Sequence, residues 1–370
     1  MRKNYYWIDG LKGIACLIVA TNHIYNLFPS SRIPALFYNG GFMVGIFILL
    51  SIILASISVF RRLDRGGGTA SIECAEYVIS RYVSLFLPVL VIILMVLCAY
   101  HFGSFSQFQN AMAITKGGDP SVNYSPEVMT LRHAIKVSLL APVVGNSHFV
   151  FPIWMLPHIF WGNMTALIKC ILVRHMNFKK MALFCAATGI FEWYLMDDPI
   201  RMLSSVGVFV GYILYYCEDK IQVISKTWLS NVIGIVFWTY SIISCEGLLK
   251  PIDKFDPATL GVILTVAGLV LSNVLQKVFS LKWLVQLGKI SMGVYYVHQP
   301  LTTSFCCFLF LLLYRYGNIT VSKVGTYILF YVMILFAGFF YTKLTNILTN
   351  KVQARVTEFL FDNMTLSKKD

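Results

Sequence analysis

At 370 residues, 57% hydrophobic and 13% charged, with a mean hydropathy of +0.70, the chain has the composition of a polytopic membrane protein, which excludes a soluble globular enzyme. Its net charge of +13 is spread through short segments between apolar runs: Arg61, Arg62 and Arg65; Arg174, Lys179 and Lys180; Lys277, Lys282 and Lys289; Lys351, Arg355, Lys368 and Lys369. Cations so distributed anchor a bilayer's inner face, which makes lipid a partner and argues against nucleic acid.

Apolar segments long enough to cross a bilayer fall at 11–29, 40–60, 82–100, 150–172, 181–197, 200–217, 229–249, 258–276, 286–314 and 324–348. With loops assigned alternately, 17 Lys and Arg lie on the side of the termini and 9 on the other, leaving aside Lys12, Arg81, Lys169 and Lys343 inside spans. Both termini are therefore expected in the cytoplasm. The expected fold is all-α: a multi-pass integral-membrane bundle of about ten transmembrane helices, one domain over 1–370, in the cell membrane. The first run contains His23 and lacks a small-residue cleavage site, so it reads as a retained span.

That first span opens IDGLKGIACLIVATNH and sets Asp9, Lys12 and His23 in a segment otherwise built for lipid. At 100° per residue, the step from Lys12 to His23 returns to within roughly 20° of the same face, about 16 Å further on, and Asp9 lies about 40° off that line. Ionisable groups on one stripe of a membrane helix are costly and mark a functional path by default. Lys12 at the inner mouth could hold the phosphates of a cytoplasmic donor, or snorkel to headgroups. His23 could act as general base on a hydroxyl, or bond a neighbouring carbonyl.

Further along, Gly66-Gly67-Gly68 reads as a flexible turn rather than a phosphate cradle. Arg81, at the cytoplasmic start of the third span, is an anchor or a donor contact. Its neighbours Tyr77 and Tyr82 suit an aromatic belt or an adenine-stacking surface, and Pro88 predicts a kink. The connection 102–148 is expected outside, with an interfacial or re-entrant helix over Leu131 to Val144. Asn146, His148, Trp154, Pro157, His158, Trp161, Asn163 and Thr165 crowd the outer entry of the fourth span. Trp154, His158 and Asn163 are candidates to line an acceptor cavity, since polar groups in an apolar run need partners. Tyr295, Tyr296, His298, Gln299 and Pro300 lie mid-span, where a proline frees backbone carbonyls that these side chains could satisfy; Tyr295 and His298 join the candidate lining. Residues 351–370 are expected as a cytoplasmic, amphipathic tail.

The nine cysteines show no CxxC spacing; Cys16, Cys98, Cys170, Cys185, Cys306 and Cys307 sit in apolar runs and read as buried small hydrophobes. With no HExxH, no GxSxG and no acidic cluster, and with His148 and His158 unsupported by carboxylates, no metal site is expected.

Four stretches resemble the membrane acyltransferase-3 family in order. IDGLKGIACLIVATNH is similar to its opening element, an arginine, ten residues, then a histidine. ISRYVSLFLPVL (79–90) is similar to its arginine-rich entry to the third span, IWMLPHIFWGNM (153–164) to W-T-L-P-x-E-F, and LGKISMGVYYVHQPL (287–301) to Gly-x-Ile-Ser … Tyr-x-x-His-x-Pro. The resemblance implies transfer of an acyl group from cytoplasmic acyl-CoA to a hydroxyl of an extracytoplasmic acceptor, commonly a surface-glycan sugar. It implies His23 as the catalytic residue, and Lys12 and Arg81, with Asp9, on the donor. Acetyl-CoA is then a co-substrate, with no permanently bound cofactor, and the partner is a surface glycan or lipid-linked saccharide. The chain departs from the pattern at Lys12 (arginine in the family), Ser84 (the second arginine) and His158 (glutamate), which marks a divergent branch. The competing readings are a transporter or flippase-like protein, for which no inverted repeat is visible, and a catalytically silent relative.

Overall fold

The computed structural model describes residues 5–29, 33–66, 70–118, 124–145, 149–194, 199–249 and 256–366, and every regular element among them is a helix. The α-helices are α1 (Tyr6–Leu27), α2 (Gly40–Gly66), α3 (Ala70–His101), α4 (Phe108–Thr115), α5 (Leu131–Leu140), α6 (Leu156–Val173), α7 (Phe178–Tyr194), α8 (Pro199–Tyr216), α9 (Glu218–Ser225), α10 (Trp228–Cys245), α11 (Pro257–Leu271), α12 (Asn273–Phe279), α13 (Lys282–Leu301), α14 (Cys307–Tyr316) and α15 (Ile319–Leu366). Short 3₁₀ turns cover Ala35–Phe37 and Phe151–Met155, and a π-helical turn, Thr302–Cys306, joins α13 to α14.

Helix occupies all ten apolar stretches, yet six helical spans among the described residues are long and apolar enough to cross a membrane, seven if one bent pair is counted. The differences have local causes. Helix α1 carries Asp9, Lys12, Asn22, His23 and Asn26; α7 has only 17 residues and holds Glu192; α8 opens on Arg201 and closes on two tyrosines. The stretch expected as a straight span at 258–276 is bent by 101° between α11 and α12, where the Ser272 hydroxyl accepts from the Leu275 amide (3.3 Å) and starts a new helix. The expected separate tail is instead the end of α15. That helix has 48 residues, roughly 72 Å at the usual rise, more than twice a hydrocarbon core.

The 102–148 connection carries the expected helix over its apolar second half, α5, capped by the Thr130 hydroxyl on the His133 amide (3.3 Å). It also holds α4, which the polar sequence did not announce: Phe108, Ala111 and Thr115, spaced along one face, are buried. Residues 67–68 of the glycine turn, residues 119–123 of the GGDPSVNYSP centre, Asn146 and His148, and residues 367–370 lie outside the described residues.

Chain contacts divide the protein into two compact units. The first comprises Met1–Ile18, Pro34–Val78 and His158–Lys289, the second Val19–Ile33, Ile79–Pro157 and Ile290–Asp370.

In the first unit α2 packs on α8, α8 on α7, and α11 on both α2 and α10. Small residues let these backbones approach, as Gly207 and Gly211 of α8 do against Ile52 and Ser56 of α2. Its α6, α7 and α8 share a buried charge pair. The Lys169 ammonium donates to both Glu192 carboxylate oxygens (2.7 and 2.8 Å) and to the hydroxyls of Ser204 and Ser205 (2.6 Å each). In the second unit α14 packs on α4 and α15, and α13 crosses α15 at Gly293 and Gly338. Five of the six cysteines read as core are buried; Cys98 faces outward from α3.

Candidate functional site

The last turn of a helix leaves carbonyls that need partners once they are buried. The C-terminal end of α1, in the second unit, is met from two sides. The Gly118 amide donates to Asn26 O (3.0 Å), the Thr115 hydroxyl to Leu27 O (2.9 Å), the Tyr327 hydroxyl to Phe28 O (3.0 Å), and the Lys323 ammonium to Pro29 O. One turn earlier, Thr21 and Tyr331 share a hydroxyl–hydroxyl bond of 2.6 Å. His23 is thus mounted on a helix end fastened by the α4 segment and by α15, and it is 8% exposed.

His298, on α13 and wholly buried, places its ring centroid 5.0 Å from that of His23. Phe151 meets the His23 ring edge-on at 5.8 Å, Trp154 lies 6.3 Å from Phe151, and Tyr295 lies 5.7 Å from His298. The residues flanking His298 hold the 151–155 turn in place. The Gln299 Oε1 accepts from the Phe151 amide (2.7 Å), and the Tyr295 hydroxyl donates to Pro152 O (3.0 Å). On the same helix the His298 ring Nδ1 lies 3.3 Å from Val294 O. The carbonyls of His298, Gln299 and Pro300 take hydroxyls from the π-helical turn: Thr302 on His298 O (2.5 Å), Thr303 on Gln299 O (3.0 Å) and Ser304 on Pro300 O (2.6 Å). The Tyr295 and Gln299 side chains are thereby left for the loop. The arrangement is a pair of imidazoles enclosed by aromatic rings.

Of the residues singled out in the sequence, the second unit thus brings His23, Trp154, Tyr295 and His298 together. Arg81 belongs to the same unit, on α3. Ser84, at the position of the family's second arginine, donates to the Arg81 carbonyl (2.9 Å), and Tyr82 donates to Leu139 O (2.7 Å). With Tyr77 buried, the aromatic residues beside Arg81 are engaged in packing. Helix α3 runs through Pro88, whose carbonyl accepts from the Tyr341 hydroxyl.

Asp9, Lys12, His158 and Asn163 belong to the first unit. Asn163 is wholly buried on α6, its amide 3.5 Å from the Ser51 hydroxyl and its Oδ1 unpartnered among the described residues; His158 is half-buried. Glycines seat the start of α1. A methyl group at Gly10 would overlap the Phe279 carbonyl, and one at Gly288 would overlap that of Asp9, so α1 lies directly on the α12–α13 corner. Asp9 and Lys12, one turn apart on this stretch, form an ion pair at 3.8 Å.

Beside that pair a cleft of about 390 Å³ is lined by Tyr5, Tyr6, Asp9, Ser58, Arg61 and Lys289, with Ile8, Leu54 and Ile57. Burial and the nearby Glu218 carboxylate raise the Tyr5 hydroxyl to about 12, against the opposing pull of Arg61, and the hydroxyl donates to Leu214 O (2.6 Å). Arg61 and Lys289 were read in the sequence only as inner-face anchors, and a cation in a short loop carries no signal that distinguishes the two roles. No group of three or more His, Cys, Asp or Glu poised to hold a metal occurs among the described residues.

A family model described as an acyltransferase domain matches residues 5–342. The chain belongs to the acyltransferase-3 family. Comparison with curated proteins and with solved structures returned no match. Membership of the acyltransferase-3 family implies acyltransferase activity in general and, with the long apolar helices, a multi-pass membrane protein. The matched residues take in both histidines, the 151–155 turn and the Arg61–Lys289 cleft, and stop within α15.

Proposed function

We propose that the protein is a membrane O-acetyltransferase that moves the acetyl group of cytoplasmic acetyl-CoA to a hydroxyl of an extracytoplasmic glycan or lipid-linked saccharide. The observation that carries this reading is the buried His23–His298 pair, 5.0 Å between ring centroids, inside the stretch matched to the acyltransferase domain. The ten helical stretches are proposed as ten crossings of the cell membrane with both termini in the cytoplasm, the orientation favoured by the loop cations.

In the proposed reaction His23 takes the proton of the acceptor hydroxyl as its oxygen attacks the thioester carbonyl. The new C–O bond forms, the C–S bond breaks, and the departing thiolate recovers the proton. His298 shares the enclosure and is placed to orient or relay that proton. Asp9 and Lys12, as an ion pair at the start of the helix that carries His23, guide the donor together with Arg81. Trp154 and Tyr295 offer ring faces and a hydroxyl of the kind that sugar recognition uses, and His158 and Asn163 are proposed to add acceptor contacts.

The test is transfer of radiolabelled acetyl from acetyl-CoA to glycan in membranes containing wild type or His23→Ala. Incorporation that requires His23 supports the proposal; equal incorporation by both removes the role given to His23. No incorporation by wild type with any glycan acceptor favours a silent relative, the reading that Lys12, Ser84 and His158 would explain.

A further inference from the structure

We infer that the cleft between the start of α1, the end of α2 and the start of α13 is a phosphate-binding site in which Arg61 and Lys289 hold the phosphoryl groups of an adenosine 3′,5′-bisphosphate moiety. Three observations within the first unit carry it. First, the cleft is a real concavity, about 390 Å³, and it holds two cations, one from α2 and one from α13. Second, neither cation has an ion-pair partner among the described residues, whereas Arg62, Arg174 and Lys12 do. Arg62 is paired with Glu73 (3.2 Å) and Glu76 (3.6 Å), Arg174 with Asp64 (3.8 Å), and Lys12 with Asp9 (3.8 Å). The one carboxylate in the lining, Asp9, is therefore offset by Lys12, and the cleft keeps an uncompensated positive field of the kind that attracts an anion. Third, the wall formed by Tyr5 and Tyr6 also bounds a second cleft of about 370 Å³, lined by Gln222, Asn273 and Gln276 together with Glu218 and Lys277. A nucleotide needs both surfaces: cations and a planar guanidinium for phosphate, and an aromatic face with neutral donors and acceptors for the base. Tyr6, 47% exposed at the boundary, supplies the face.

The assignment rests on the reading of acetyl-CoA as donor, since that molecule ends in a 3′-phosphorylated adenosine diphosphate. It moves the phosphate contacts from Lys12, which is already paired, to Arg61 and Lys289. The same chemistry would also suit the phosphodiester of an anionic lipid, and the experiment separates the two.

Binding of adenosine 3′,5′-bisphosphate is measured on the full-length protein in phosphatidylcholine nanodiscs, for wild type, Arg61→Gln, Lys289→Gln, the double variant, and the charge-conserving Arg61→Lys and Lys289→Arg. Each neutralising change is expected to weaken binding roughly tenfold and the double variant roughly a hundredfold, with weakening by added salt. The conservative variants retain most of the affinity and report that the fold is intact. Unchanged affinity in the double variant overturns the assignment. If wild type fails to bind the nucleotide but retains phosphatidylglycerol in a manner that needs Arg61 and Lys289, the phosphate site stands with a lipid as its occupant. If neither ligand depends on the two residues, the assignment is wrong. A protein that binds the nucleotide through these residues yet transfers no acetyl group would defeat the donor reading alone.

Discussion

Replacing Lys169 by methionine removes the centre of the polar cluster shared by α6, α7 and α8. Its ammonium has three protons and four oxygen neighbours at 2.6 to 2.8 Å, and the Lys169 and Glu192 side chains are only 7% and 11% exposed. Without it the Glu192 carboxylate keeps only the Ser205 hydroxyl (2.9 Å) as a donor of those four groups. Stranding one charge of a buried pair costs about 3–5 kcal/mol in soluble proteins. Unfolded helices in a membrane also find polar partners, so the lower end applies, about 3 kcal/mol or roughly a hundredfold in the unfolding equilibrium. Removing both charges, as Lys169→Met with Glu192→Leu, strands nothing, because Ser204 and Ser205 can turn their hydroxyls to carbonyls of their own helix. That double variant should lie within about 1 kcal/mol of wild type. Equilibrium unfolding by SDS in mixed micelles, run as a double-mutant cycle, measures all four proteins. A cost below about 1 kcal/mol for Lys169→Met, or a double variant as unstable as the two singles added together, would refute the reasoning.

Three further outcomes follow from the same geometry. Gly288→Ala drives a methyl into the Asp9 carbonyl and should cost about 1–3 kcal/mol, whereas Gly41→Ala, whose added carbon would meet only Asn39 Oδ1 at 3.8 Å, should be neutral or slightly stabilising; thermal unfolding in detergent compares them. Gln299→Leu orphans the Phe151 amide and should lower acceptor turnover while leaving the KM for donor unchanged, and a shifted donor KM would place the 151–155 turn in the wrong role. Lys12→Arg should preserve donor KM and Lys12→Ala should raise it only modestly, since Lys12 is already paired with Asp9; an effect larger than that of Arg61→Gln would reverse the order of importance given to the two cations.

The helices were legible because each apolar run is long and bounded by charge; the Asp9–Lys12 ion pair is a finding of the structure, within the stripe that the sequence marked. The bend at Ser272 was hidden inside a largely apolar run, since a hydroxyl that caps a helix and one that faces a neighbour look alike in a string of letters. Helix α4 was missed because it is only eight residues long and its buried face rests on Phe108, Ala111 and Thr115 alone. His23 and His298 were each identifiable as costly groups in apolar surroundings, but nothing in a single sequence pairs residues 275 positions apart. What joins them is tertiary: the α4 segment and α15 fasten the end of α1, and Tyr295 and Gln299 lock the 151–155 turn beside it. Arg61 and Lys289 stayed invisible for the opposite reason, because cations at membrane borders are expected everywhere.

The role of His23 as the base for acyl transfer is tested by acceptor-dependent release of free thiol from acetyl-CoA by the purified protein in nanodiscs. Wild type should release thiol only when a hydroxyl-bearing glycan is present, and His23→Ala should lower that rate by about 10²–10⁴-fold with the KM for acetyl-CoA little changed. Thiol release by His23→Ala at the wild-type rate would contradict the account.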